Sequence, residues 1–439
     1  MSIYKDCDIR GIYGEEFDDD TAYWIGRAAG SMPGIKTLAV GGDVRVSTPA
    51  LKQRLIEGIT ESGVDVIDIG MVPTPAFYFA LHHMDADGGI TVTASHNPAK
   101  YNGFKLMFGD MPVTTGTIKE IERRVEKKDF PQGCGRVSKR DIMTPYVSSM
   151  IETFAGGGLK VVIDCGNGAM SEVAPSVFKK LGYDAVPLYC SFDGRFPNRE
   201  PNPAVYENLR GVSAKVRETG ADFGAAFDGD GDRVVFVDNK GDVVCSEESF
   251  VVFINEYLKE SPSPVVYDIK SSSIVKDAVL RHGGKPLMER SGHAFIKKRF
   301  RENDAALAGE ISGHYFFGEL GYDDGLYAAL KMAEIIGRST DMFSGLIGQI
   351  PKGIITPDLR FHCAYGQQDE VLKKIETLGQ KEQVLKIDGI RVGFPDGWLL
   401  VRKSVTEEAV TMRIEAENQK ALDRIRTLVS QTVPELNCS

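Results

Sequence analysis

The sequence predicts an α/β protein. Three similar α/β domains with mixed sheets are followed by a smaller C-terminal α+β domain, arranged around a central cleft. Three observations support this. A strand–helix–strand pattern begins at Thr37, and similar patterns begin at Leu159 and Pro264. Each first strand is followed by a Gly, Asp, Ser or Lys turn, the place where parallel α/β units hold ligands. Beyond about residue 355 the pattern gives way to strands, a Pro395-Asp-Gly turn and an amphipathic helix.

In the first copy, Thr37-Leu-Ala-Val-Gly-Gly is a short apolar run of the kind a buried parallel strand needs. A helix follows from Ser47, with Leu51, Leu55, Ile56 and Ile59 as its apolar stripe. Ser47 or Thr48 is expected to cap it, with Pro49 in the first turn. Val64-Asp-Val-Ile-Asp-Ile is the returning strand. The second copy runs from Leu159-Lys-Val-Val-Ile-Asp through a helix at Ser171–Leu181 to Ala185-Val-Pro-Leu-Tyr. The third has its strand at Pro264-Val-Val-Tyr-Asp-Ile and its helix at Ser272–His282. In the last domain, strands are expected at Lys386–Val392, Trp398–Arg402 and Thr411–Ala416, and a helix at Gln419–Ser430. The expected domains are 1–145, 146–241, 242–355 and 356–439.

Composition limits the function. The 439 residues carry a formal net charge of −10, a poor basis for binding nucleic acid through phosphate neutralisation. The seven cysteines are widely spaced with no C-x-x-C, which points away from a zinc ribbon or disulfide framework and towards a reducing compartment. The N-terminus has no apolar signal core, and no run reaches the ~18–20 apolar residues of a transmembrane helix. The expectation is a cytoplasmic protein with no membrane or nucleic-acid partner.

Four segments carry chemistry. Asp228-Gly-Asp-Gly-Asp-Arg233 lies between apolar strands, and its glycines let the loop curl until the carboxylates converge. Clustered carboxylates repel unless a cation lies between them. An EF-hand does not fit, because Arg233 and Asn239 stand where Gly and Glu are required. Mg²⁺ on Asp228, Asp230 and Asp232, with a position open for a phosphate oxygen, fits better. Thr91-Val-Thr-Ala-Ser-His-Asn-Pro98 ends an apolar run and presents Ser95 beside His96; it reads either as a nucleophile or as a capped polar turn. In Gly309-Glu-Ile-Ser-Gly-His314, the alternation of Glu310, Ser312 and His314 suits sugar hydroxyls if the loop is extended. Arg402-Lys-Ser-Val-Thr406 combines an Arg with hydroxyls between two strands, as phosphate binding requires.

Together and in this order, the Asp8-Ile-Arg-Gly, Ser-His-Asn-Pro, Asp-Gly-Asp-Gly-Asp-Arg, Gly-Glu-Ile-Ser-Gly-His and Arg-Lys-Ser-Val-Thr segments resemble the α-D-phosphohexomutases over nearly the whole chain. The resemblance is to the bacterial phosphomannomutase/phosphoglucomutase type. It implies four domains around a cleft, a phosphoserine at Ser95 and Mg²⁺ held by Asp228, Asp230, Asp232 and the Ser95 phosphate. Arg233 would touch the transferring phosphoryl group, and Arg10, His96 and Lys105 would give acid–base and electrostatic help. Glu310 and Ser312 would bind sugar hydroxyls, His314 would lie near the reacting hydroxyl, and Lys270 and His293 would orient the sugar. Arg402, Ser404 and Thr406 would hold the phosphate that is not reacting. The implied activity is interconversion of hexose 1- and 6-phosphates through a hexose 1,6-bisphosphate, which also serves as activator, in a monomer or weak homodimer.

Three positions, two of them in the phosphate loop, depart from the family pattern. Val405 replaces a Gly or Asn and Glu408 a Pro in the phosphate loop, and Cys7 stands where close relatives tend to have Tyr. Other readings are a phosphoglucosamine mutase or a non-catalytic sugar-phosphate-binding protein on the same scaffold. A two-zinc phosphatase using Ser95 would need more His and Asp ligands than the seven histidines and their spacing provide.

Overall fold

A computed structural model describes residues 2–109, 111–380, 383–404 and 408–436. Each repeat builds a mixed sheet on one plan. In the second sheet the spatial order is Asp184–Leu188, Lys160–Asp164, Phe223–Phe227, Val234–Val237, Val243–Val244. The first three strands run parallel and the last two join antiparallel. The third sheet repeats this with Lys285–Glu289, Pro264–Asp268, Leu307–Gly309, Tyr315–Phe317 and Tyr322–Asp323. The first sheet has the same heart: Asp65–Met71, Thr37–Gly42 and Gly88–Val92 are parallel, then Tyr101–Phe108 and Ile9–Ile12 are antiparallel. Val137–Lys139 and Met111–Pro112 extend it.

This plan corrects the expected ligand position. The Ser95, Asp228 and Glu310 segments follow the third parallel strand of their sheets, and of the turns after the first strands only that of the third sheet, at Lys270, lines the cleft. The three segments are the turns after Gly88–Val92, Phe223–Phe227 and Leu307–Gly309. The C-terminal ends of the first strands place buried Asp43, Asp164 and Asp268, which brace the neighbouring loops from within.

The fourth sheet is antiparallel throughout, in the order Ile354–Ile355, Ala409–Ala416, Gly397–Lys403, Ile390–Phe394, Val384–Leu385, with Leu359–His362 also on Ala409–Ala416. The strand expected from Lys386 begins only at Ile390. Gly389 turns the chain at φ +85°, and Asp388 faces Arg402 instead of joining a ladder. The helices Gln368–Glu376 and Gln419–Thr432 bury Ile375, Ile425 and Val429 against this sheet.

A continuous apolar core runs through the first three units, from Phe77 and Tyr146 through Phe178 and Phe236 to Tyr315 and Phe343. The fourth unit has its own core and meets the third through Ile269, Trp398 and Leu400. Arg391 lies 3.8 Å over the Trp398 ring and donates to the carbonyls of Ile269 and Ser271. Glu415 accepts from Ser272 Oγ at 2.6 Å and Ser273 N at 2.8 Å. The expected cap on the helix Thr48–Glu61 is absent. Ser47 is in the αR region and accepts from Asn102 Nδ2, while Thr48 donates to Asp43. No helix among the described residues is long and apolar enough to cross a membrane.

Candidate active site

The three loops meet where the first three units converge. Ser95 sits in the left-handed region, φ 49°, with its amide tied to Thr93 Oγ1 at 2.8 Å. This aims its hydroxyl out of the sheet edge at the Asp228 loop, where Oγ lies 2.9 Å from Asp228 Oδ2. His96 Nδ1 lies 3.2 Å from the same Oγ, so these sequence neighbours do pair. Gly229 allows the approach: a Cβ there would lie 2.5 Å from the Ser95 carbonyl oxygen.

Asp228, Asp230 and Asp232 have no exposed surface, and an oxygen of each lies within 4.8 Å of the others. Lys105 lies behind them, buried, with Nζ 2.7 Å from Asp230 Oδ2 and 2.5 Å from Asp232 Oδ2. Burial opposes its charge, but the two carboxylates outweigh burial and hold the ammonium above its ordinary value. Burial pushes the Asp228 carboxyl up, and the charges of Asp230 and Asp232 push it further. Arg233 and His314 also stand against the cluster, at 3.7 Å from Asp228 and 3.3 Å from Asp232, yet Asp230 Oδ1 is buried with no hydrogen-bond partner. Buried, acceptor-only oxygens of this kind suit a hard cation. The donor set fits a divalent metal ion.

The third loop brings Glu310, Ser312 and His314 together, but by a turn instead of the expected extended loop. Gly313, at φ +92°, folds the segment so that Glu310 N bonds to His314 O at 3.1 Å. Ser312 Oγ lies 3.0 Å from His314 Nδ1, and Glu310 Oε2 lies 2.8 Å from the same nitrogen. The other ring nitrogen is 3.3 Å from Asp232 Oδ1. Burial and the Arg233 charge oppose protonation of His314, yet Asp232 and Glu310 push the ring up to about 9. Nδ1 thus faces Glu310, while Nε2 is shared between Asp232 and Arg233, whose Nε lies 3.3 Å away. Burial raises the Glu310 carboxyl, but its bond from His314 prevails and draws it down to about 2. His293 opens the helix His293–Glu302 and lies over His314 with ring centroids 5.7 Å apart; burial, then the Lys105 and His314 charges, draw it down to about 3. Burial, then Arg233 and Arg10, hold His96 well below the ordinary imidazole range.

A cleft of about 960 Å³ opens over this floor and is lined by residues of all four units. Arg10, His96, Arg233, Lys270, His293, Glu310, Ser312, His314 and Arg402 line it. Arg10 donates to Asn97 Oδ1 at 2.6 Å and pairs with Asp8. Lys270 reaches Asp358 of the fourth unit at 2.5 Å, and Arg402 pairs with Asp388. Ser404 lies at the end of the strand Gly397–Lys403, where its amide bonds to Ala409 O at 2.9 Å. Thr406 and Val405 lie outside the described residues.

The sequence reading missed the residues that hold these loops. Arg45, 1% exposed, donates to the carbonyls of Ser95, Asn97, Pro98 and Tyr101 at 2.6–3.0 Å and is anchored on Asp43 at 3.1 Å. Arg199 spans Asp164 and the Phe227 carbonyl just before the metal loop. Asp268 accepts from Ile311 N in the third loop at 3.1 Å. The signal was present in the acidic turns after the first strands, where a buried Asp needs a partner. The fourth unit and the third also add Arg290, Arg360 and Arg413 to the cleft wall.

Sequence models of the phosphoglucomutase/phosphomannomutase family match the chain in four segments. These are alpha/beta/alpha domain I at residues 1–132, domain II at 143–241, domain III at 246–353, and the C-terminal domain at 361–431. A phosphomannomutase/phosphoglucomutase of Pseudomonas aeruginosa is 38% identical, over 97% of this chain and 94% of its own length. A phosphoglucomutase of Neisseria gonorrhoeae is also 38% identical, over 97% of this chain and 95% of its own. The crystal structure of a phosphoglucomutase/phosphomannomutase family protein from Burkholderia thailandensis superposes with a TM-score of 0.92 at 37% identity, covering 98% of both chains.

Proposed function

The chain belongs to the α-D-phosphohexomutase superfamily, and we propose that it is a phosphomannomutase/phosphoglucomutase that works through phosphorylated Ser95 and a hexose 1,6-bisphosphate. Such an enzyme is an isomerase, an intramolecular phosphotransferase. The observation that supports this most is the placement of Ser95 Oγ 2.9 Å from Asp228, at the floor of a cleft walled by Arg10, Arg233, Lys270 and Arg402. Phosphoryl transfer asks for positioning and charge neutralisation above all, and this arrangement supplies both.

In our reading Asp228, Asp230 and Asp232, with an oxygen of the Ser95 phosphate, hold one Mg²⁺. When bound, that ion neutralises charge on the transferring phosphoryl group as a Lewis acid. The protein's own groups do the rest. Lys105 fixes the orientation of Asp230 and Asp232 from behind. Arg233 and the His314 imidazolium face the phosphoryl group from the cleft side. Arg10 steadies the Ser95 loop through Asn97. Neutral His96 takes the Ser95 proton when the hydroxyl accepts a phosphoryl group, and returns it when Ser95 becomes the leaving group.

Glu310 and Ser312 bind sugar hydroxyls, with Lys270 and His293 orienting the ring. The Glu310 carboxylate already accepts from Gly292 N and His314, and it retains lone pairs for a hydroxyl. Arg402, Ser404 and Thr406 hold the phosphate that is not reacting, so that the bisphosphate can reverse its ends without leaving. We place the domain boundaries near 145, 242 and 355, and the enzyme in the cytoplasm as a monomer or weak homodimer. Mannose, glucose and glucosamine 1-phosphates assayed side by side test the sugar. Isomerisation of the first two is expected, and a preference of about tenfold or more for the amino sugar overturns the choice. Release of free phosphate faster than isomer would instead mark a phosphatase.

A further inference from the structure

Cys165 and Cys190 stand on adjacent parallel strand ends of the second sheet, with sulfur atoms 3.2 Å apart. Cys165 follows the strand Lys160–Asp164 and has no exposed surface, whereas Cys190 is half-buried. The backbone is shaped to bring them together. Tyr189 adopts φ 53°, a left-handed conformation uncommon for a residue with a side chain, and turns Cys190 back under the strand end. Asn167, also left-handed at φ 63°, ties its amide to Tyr189 O at 2.8 Å. Nothing in the proposed phosphoryl chemistry uses either thiol.

The pair lies directly behind the metal loop. The Cys165 thiol donates to Met170 O at 3.4 Å. The segment between them bonds to the Asp228 loop through Ala169 N and Gly229 O at 2.9 Å. Met170 packs so closely on Gly231 that a Cβ there would lie 2.6 Å from its side chain.

We propose that Cys165 and Cys190 form a reversible disulfide with a hydroperoxide as oxidant, and that the disulfide slows turnover by shifting the segment that backs Gly229 and Gly231. The Cys190 thiolate attacks one peroxide oxygen, breaking the O–O bond to give a sulfenic acid and hydroxide. The Cys165 sulfur then attacks the sulfenic sulfur, and the S–O bond breaks. With hydrogen peroxide the two thiols lose two hydrogens and two electrons in all, and two waters form. Cys190 is half-buried and Cys165 has no exposed surface, so a peroxide reaches the Cys190 sulfur first, which suits it to be the attacking group. Closure must shorten the 3.2 Å contact to about 2.05 Å and removes the bond from Cys165 to Met170 O. A shift of that size is enough to matter where phosphoryl transfer depends on placement.

The test treats the full chain with hydrogen peroxide, blocks remaining thiols by alkylation, and maps peptides by mass. A linked Cys165–Cys190 peptide is expected, with turnover reduced by about fivefold or more and restored by dithiothreitol. Cys190→Ser should keep the untreated turnover and resist the loss, and Cys165→Ala is the second variant should the first fold poorly. The activity arm rests on the mutase reading, whereas the linked peptide does not. Both thiols remaining alkylatable while exposed Cys134 is oxidised would overturn the disulfide. Loss of turnover that persists in Cys190→Ser, or a linked enzyme that turns over normally, would overturn its effect on activity.

Discussion

Arg45 gathers four carbonyls of the Ser95 turn onto one guanidinium, in a site with almost no water. Removing one partner of such a buried pair leaves the other charge uncompensated. Arg45→Met is therefore expected to cost about 3–5 kcal/mol in urea unfolding and to lower turnover, because the four carbonyls lose their donor and the buried Asp43 loses its counter-charge. A change below about 1 kcal/mol with full turnover would contradict the bracing role. Asp230→Asn keeps the shape of the carboxylate and removes its charge. If Mg²⁺ binds as proposed, the wild type should gain thermal stability from it; the variant should lose that gain and turn over about 10²–10³-fold or more slowly. A retained metal-dependent shift in Tm would remove Asp230 from the site.

His314 gives a pH signature. In metal-free protein its ring titrates near 9, against an ordinary value of 6.5. The folded state therefore binds this proton more tightly than the unfolded state. The resulting stability is fully present below about 6.5 and is lost as pH rises through about 9. His314→Gln should flatten that part of the stability–pH curve measured in a chelator. An unchanged slope between about 6.5 and 9 would contradict the paired imidazolium.

At the scale of elements, the Ser95, Asp228 and Glu310 segments share one topological position used three times, the turn leaving the third parallel strand. The apolar runs of the strands and the glycines that end the helices made the repeats legible. The residue types of the Ser95, Asp228 and Glu310 segments likewise made the chemistry legible. The location was not, because all the strand-end turns carry similar polar residues, and only the fold decides which face the cleft. Asp43 and Asp164, at the ends of the first strands where ligands were expected, are braces held by Arg45 and Arg199. Likewise, the Glu310–His314 alternation predicted convergence for the wrong geometric reason, since Gly313 folds the segment into a turn. Gly229→Ala tests the closeness of two of these turns. Its methyl must displace the Ser95 carbonyl, so turnover should fall sharply, while stability drops by about 1–3 kcal/mol and far-UV circular dichroism stays unchanged. A fully active alanine variant would mean that the two loops are further apart in solution.

At the scale of the molecule, one apolar core crosses the first three units, which also keep clusters of their own, and the fourth docks on a small patch. Arg391 and Glu415 hold that patch by hydrogen bonds to the turn around Ser271 and Ser272, beside Lys270 in the cleft wall. This division suits a reaction whose intermediate must turn around without escaping. Arg391→Ala should therefore raise KM for the hexose phosphate by about tenfold with a smaller effect on kcat, since Arg402 is no longer held over the site. Equal loss of both constants would place the defect in the chemical step. The bulk charge of −10 argued against a nucleic-acid partner, yet it said little about a cleft in which arginines and lysines meet.

The central claim is that Ser95 carries the phosphoryl group. Intact-mass measurement of the full chain after incubation with a hexose 1,6-bisphosphate tests it most directly. The account predicts a wild-type fraction heavier by one phosphoryl group, absent from Ser95→Ala, which should also fail to isomerise hexose 1-phosphate. The same added mass on Ser95→Ala, or turnover retained without Ser95, would contradict it.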